Sequence, residues 1–203
     1  MIVTKYDNRD EWMEARKTRI TGSTVKDLII KRGNTKKMGF YELIAERLVV
    51  TEDGAENPMD RGNRLESVAV ELFSDETGKK VNTDLVIWAR EDNERIAISP
   101  DGYTEDLKEA VEVKCLAPAN HIKAYLTQEP PSEYEDQVIQ YFVVNDDLET
   151  LYFVMYDPRF TVIPYFYLTI KREDLQKKID KYLADEREAM KEVDAIVEEL
   201  TKI

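Results

Sequence analysis

The sequence predicts a mixed α/β fold, on three observations. Residues 59–77 repeat apolar positions at helical spacing, through Leu65, Val68, Ala69, Leu72 and Phe73. After Gly78 the pattern changes to short runs rich in β-branched and aromatic residues, among them Ala110–Cys115 and Leu151–Tyr156. Helical segments lie between those two runs, which is the alternation of a layered α/β core. The 203 residues show no internal repeat, low-complexity tract or Pro/Gly/Ser linker, so one domain over 1–203 is expected.

Asn8 or Asp10 can cap a first helix that runs to about Lys17. Thr21-Gly22-Ser23 precedes a second helical stretch over 24–30, with a hydroxyl residue at its start. Residues 41–49 and 59–77 read as helices. Leu85–Trp88, Ile96–Ile98 and Ala110–Cys115 read as strands, with a turn at Pro100-Asp101-Gly102. A helix is expected at about 118–126. Another begins at Ser132, where Ser132 and Glu135 have capping-box spacing, and it carries Tyr134, Gln137, Val138 and Tyr141. Leu151–Tyr156 reads as a buried strand that pairs with 162–170. A charged amphipathic helix closes the chain over 172–201.

Composition narrows the chemistry. A single Cys excludes a disulfide scaffold and a four-Cys metal or iron–sulfur site. A single His excludes His-rich metal sites. Oxygen donors remain, the ligands of Mg²⁺ and Mn²⁺. No stretch approaches the ~20 apolar residues of a spanning helix, and the start lacks a signal-peptide apolar run. The free Cys fits a reducing cytoplasm. The net charge of −13 speaks against a nucleic-acid partner at first sight. Its distribution does not: residues 16–37 hold eight bases against Asp27 alone, while 51–110 hold 16 acids against 7 bases. A solvated face explains such runs as readily as a phosphate-binding surface.

One constellation carries chemistry. Asp101 ends the Ile98-Ser99-Pro100-Asp101 run, and Glu112 and Lys114 are two apart, on one face of the next strand. A hairpin between 96–98 and 110–115 brings the two carboxylates and the amine together. Two carboxylates without His or Cys form a hard-cation site, to which the Val113 carbonyl can add a ligand. A lysine beside it can orient or deprotonate a water for attack on a phosphodiester. Glu-x-Lys alone recurs by chance. Cys115 points away from Lys114 and reads as core, and His121 reads as structural.

Pro100-Asp101, Glu112-x-Lys114, Gly62-x-Arg64-x-Glu66 and Gln137-x-x-x-Tyr141 together resemble the PD-(D/E)xK nuclease superfamily. With Ser99 and Gly102 around the first motif, Cys115 after the second, Gln140, and Tyr156-Asp157-Pro158-Arg159, the ordered set is similar to the phage lambda exonuclease, or YqaJ viral recombinase, family from about residue 10 to 170. The resemblance implies a restriction-endonuclease-like core, a mixed central sheet flanked by helices. It implies that Asp101, Glu112 and the Val113 carbonyl bind Mg²⁺, with Mn²⁺ as a substitute. Glu66 would face the metal directly or through water. Lys114 would serve the attacking water, and Gln137 would line the site. Arg16 and Ser23, with Arg19 near them, match the segment that receives a 5′-phosphate, and a Ser at a helix start beside an Arg is also a physical anion site. The expected activity is 5′-to-3′ digestion of duplex DNA ends by two-metal-type hydrolysis, in phage or prophage recombination inside a bacterial host. A homotrimer and a single-strand annealing protein are the implied partners. The rival expectations are a structure-specific endonuclease of the same fold and a non-catalytic DNA-end-binding module.

Overall fold

Strand β5 (Thr150–Tyr156) is the centre of the molecule, and six of its seven residues are buried. The computed structural model describes residues 5–17, 36–48 and 58–202. The expected helix over 24–30 lies outside them. β5 pairs in parallel with β4 (Glu109–Lys114) and antiparallel with β6 (Tyr165–Lys171). The short β3 (Gly102–Tyr103) adds antiparallel to the other edge of β4, giving the order β3-β4-β5-β6. β1 (Trp88–Ala89) and β2 (Ala97–Ile98) form a separate two-stranded ribbon.

Period-two alternation decides which helix covers which face. Val111 and Val113 of β4, with Tyr152 and Val154 of β5, pack against Ala69, Val70 and Phe73 of α3 (Pro58–Thr77). Leu151, Phe153 and Met155 point the other way, onto Val138, Ile139 and Phe142 of α5 (Glu135–Val144). α6 (Arg172–Thr201) buries Ile179 against that same cluster. Leu65, Ala69, Val70 and Phe73 are the buried face of α3, whereas Val68 and Leu72, part of the same helical spacing, face outward at 37% exposure. The helix ends where Gly78 takes φ +68 and its N–H reaches the Ser74 carbonyl at 2.8 Å. That left-handed closure favours glycine.

The remaining helices are α1 (Arg9–Lys17), α2 (Met38–Leu48) and α4 (Pro118–Thr127). Asn8, rather than Asp10, caps α1: its Oδ1 accepts the Glu11 N–H at 2.9 Å and its Nδ2 donates to Glu11 Oε1 at 2.8 Å. α2 joins α4 through Tyr41, Ile122 and Phe160. The Ser132–Glu135 capping box does not form. Ser132–Tyr134 is a 3₁₀ turn leading into α5, and Glu135 pairs instead with Lys178 of α6.

Two strand expectations are corrected. Leu85–Trp88 is not a strand apart from Trp88: no ladder pairs with residues 84–87, and Leu85 and Ile87 stand exposed. The hairpin partner of β4 is β3, beyond the Pro100-Asp101 turn, and not 96–98, which pairs with β1. Gly102 permits this close approach, since a Cβ there would meet Val81 Cγ1 at 2.5 Å.

Candidate active site

Asp101 immediately precedes β3, and Glu112 and Lys114 share one face of β4. The ladder Gly102↔Val111, continued by one residue, sets Asp101 opposite Glu112, and the Val113 N–H donates to Asp101 Oδ2 at 2.7 Å. The expected meeting of Asp101, Glu112 and Lys114 therefore occurs, by way of a different strand pair. Glu112 points into the α5 face and is 2% exposed. A charge in that position needs partners, and it has three. Lys114 Nζ forms an ion pair with Oε1, Gln137 Nε2 donates to Oε1 at 2.7 Å, and the Tyr141 hydroxyl donates to Oε2. The Lys114 ammonium also lies 5.0 Å from the Tyr134 ring centroid.

Glu66 approaches from α3. Burial raises its pKa above the ordinary carboxylate value, the Glu112 charge adds to that, and Lys114 opposes it. Asp101 is pushed up to about 7, first by burial and then by Glu112, with Glu66 adding and the Val113 N–H opposing. The Glu112 charge thus raises the proton affinity of both Glu66 and Asp101 at one end of the sheet. Glu66 and Asp101, with Ser99 and Pro100, line a cleft of about 780 Å³ whose far wall carries Leu85 and Ile87.

Among the described residues, no three Asp, Glu, His or Cys side chains converge as a finished metal cage. The chemistry of the donors nevertheless fits a hard divalent cation. Asp101, Glu112 and Glu66 are all oxygen donors, and a cation would offset both the burial and the neighbouring Glu112 charge that lift Asp101.

Arg16 lies in α1 with its guanidinium carbon 4.3 Å over the Trp12 ring. Ser23 and Arg19, expected to receive a phosphate with Arg16, lie outside the described residues. Cys115 packs with the α3-side cluster, and burial pushes its thiol up to about 11, which suits core rather than nucleophile. His121 is fully buried with Nε2 2.9 Å from the Ile163 carbonyl oxygen.

Two features exceed the sequence reading. Tyr141, named above only for its spacing from Gln137, holds Glu112; its place one turn after Gln137 on the same helix face is the signal the sequence offers. Asp157, named above only within Tyr156-Asp157-Pro158-Arg159, is fully buried. It binds Arg61 Nη2 at 2.6 Å and Arg159 through Nε at 2.9 Å and Nη2 at 3.1 Å. Nothing local in Tyr156-Asp157-Pro158-Arg159 points to a partner 96 residues earlier.

The mixed sheet flanked by helices is shared with solved exonuclease structures. The chain is similar to the alkaline exonuclease LHK-Exo from Laribacter hongkongensis at 27% identity and a TM-score of 0.60, over 96% of this chain and 99% of that one. A second LHK-Exo structure, in complex with dAMP, matches at 28% identity with the same TM-score and the same coverage. The chain belongs to the YqaJ-like viral recombinase domain family, whose pattern residues 11–147 match. No curated protein is similar enough to count as a match. Among the described residues, no helix is long and apolar enough to cross a membrane.

Proposed function

We propose that this protein is a Mg²⁺-dependent exodeoxyribonuclease that digests linear duplex DNA from 5′-phosphorylated ends, leaving single-stranded 3′ overhangs for phage-type recombination. Membership of the YqaJ-like family supports the recombination setting. The observation that carries the reading is the meeting of Asp101, Glu112 and Lys114 at the β3–β4 edge, with Gln137 and Glu66 turned toward it.

Asp101, Glu112 and the Val113 carbonyl would hold Mg²⁺ or Mn²⁺, with Glu66 directly or through water. The bound metal would polarise the phosphoryl oxygen and lower the pKa of water. Lys114 orients the attacking water and can take its proton. Gln137 and Tyr141 fix the Glu112 carboxylate so that it need not reorganise during the reaction. Arg16, Ser23 and Arg19 would receive the 5′-phosphate. LHK-Exo has been crystallised with dAMP, and a nucleoside 5′-monophosphate is the product we assign to this chain. One nuclease domain over 1–203, a homotrimer, a single-strand annealing partner and action in the cytoplasm of a bacterial host complete the proposal.

The test incubates purified protein with linear duplexes labelled at the 5′ or 3′ end and with covalently closed circles, with and without Mg²⁺. Release of 5′-label as mononucleotide, only with Mg²⁺ and only from linear DNA, is the expected result. Cutting of closed circles would assign an endonuclease, and binding without cleavage a DNA-end-binding module.

A further inference from the structure

We infer that Tyr134 is a positioning residue for Lys114, its ring face holding the lysine ammonium at the mouth of the site. The contact stands on geometry alone; its catalytic consequence rests on the nuclease reading above.

Lys114 is a flexible four-carbon stem whose side chain is 21% exposed. Among the described residues its ion pair is with Glu112, whose carboxylate is crowded. The oxygen it pairs with, Oε1, also accepts the Gln137 amide at 2.7 Å, and the other oxygen is taken by Tyr141. The same carboxylate is the proposed cation ligand, so the ion pair competes with that duty. The Tyr134 ring supplies a second anchor that competes with nothing. Its centroid lies 5.0 Å from Nζ, inside the range where an aromatic face attracts an ammonium. An ammonium has three N–H donors. Glu112 uses one and the ring engages the charge through its face, so a donor remains for water or a phosphate oxygen.

The ring is itself fixed. Pro131 holds φ −57 and ψ 140, and the Tyr134 N–H closes a 3₁₀ turn on its carbonyl at 2.9 Å. The ring packs on Phe153, centroids 5.8 Å apart and planes at 47°. Phe153 is fully buried and is the register partner of Glu112 across the β4–β5 ladder. One pair of strands therefore places carboxylate, lysine and ring together. Ser132–Tyr134 forms a 3₁₀ turn, where a capping box would have begun a helix, and this turn delivers the ring to the site.

The test uses protein labelled with ¹³C at the lysine ε position, without metal, alongside steady-state cleavage of a linear duplex. The Lys114 Hε signal, assigned by its loss in Lys114→Gln, is expected upfield of the other lysines because of the ring current. Tyr134→Phe should keep both the shift and kcat. Tyr134→Leu, which retains apolar packing on Phe153, should lose the shift and lower kcat about tenfold with KM unchanged, the factor that a lost cation–π contact of about 1.4 kcal/mol represents. An unshifted Lys114 signal in the wild type overturns the inference. So does wild-type kcat in Tyr134→Leu, or equal impairment of the Phe and Leu variants. A wild type that shows the shift yet cleaves no DNA overturns the nuclease reading and leaves the contact standing.

Discussion

Glu112 shows how a residue can be built for chemistry at some cost to stability. It is buried, charged and held by three side chains, and each partner removed leaves an oxygen short of a donor. Tyr141→Phe deletes one hydroxyl and little volume. It should cost about 1–3 kcal/mol, the desolvation penalty of the stranded oxygen. Thermal unfolding should show a fall of roughly 2–4 °C per kcal/mol for a chain of this size, and cleavage should weaken because the carboxylate loses its fixed orientation. Asp101 gives a prediction with opposite signs for stability and activity. Its folded pKa of about 7 lies above the ordinary carboxylate value. The folded state then binds more protons than the unfolded state between roughly pH 4 and 7, so stability is lost as pH rises through that window. Without metal, Asp101→Asn should match the wild type near pH 4 and exceed it increasingly up to about pH 7. The gap should then level off, as calorimetry across pH would show. The same variant should cleave no DNA. Asp101, Glu112 and Lys114 were legible in the sequence because strand parity places Glu112 and Lys114 on one face. Tyr141 and Tyr134 were not, because a ring at helical or turn spacing has the same local signature whether it packs or positions.

At the scale of elements, α3 carries two constraints at once. Glu66 faces the site while Arg61, five residues earlier, is tied to Asp157 beyond β5. The buried carboxylate therefore links the helix bearing Glu66 to the far end of the central strand. Asp157→Ala removes the buried carboxylate that Arg61 and Arg159 share. It should cost about 3–5 kcal/mol, read from the urea midpoint, the scale of breaking a buried ion pair. Activity should fall in the same variant as α3 loses its anchor. The helices were readable from periodicity and the long strands from apolar runs. The short β3 was not, since two residues carry no period, and its pairing depends on Gly102 admitting Val81 at close range. Leu85–Trp88 misled for the complementary reason. Its composition suits a strand, yet no neighbour offers a ladder.

Across the whole molecule, α6 divides into a packed and an unpacked half. Ile179 is buried against the α5 face, whereas Val193, Ile196, Val197 and Leu200 are exposed at helical spacing. Ile179→Ala should cost about 2–5 kcal/mol as a core truncation. Deleting residues 191–203 removes side chains that are exposed among the described residues, together with the exposed Arg95–Asp194 pair. It should change monomer stability by no more than about 1 kcal/mol. Sedimentation velocity on both forms tests the proposed homotrimer: the full chain should sediment as three 23.7 kDa copies.

The sequence by itself determined the α/β class, the order of the long elements, the exclusion of four-Cys and His-rich metal sites, and the Asp101, Glu112 and Lys114 set. These follow from periodicity, strand parity and composition, which are local. Its −13 charge also turned out to be a statement about the field of the whole molecule rather than about the site. Only the tertiary structure decided that β3 rather than the 96–98 strand brings Asp101 to Glu112. It also decided that Tyr141 contacts Glu112 and Tyr134 contacts Lys114, and that Asp157 reaches Arg61. Each of these joins groups from 20 to 96 residues apart or depends on which strand wins an edge. Such outcomes are set by packing across the two faces of one sheet, where burial forces every polar group to find a partner.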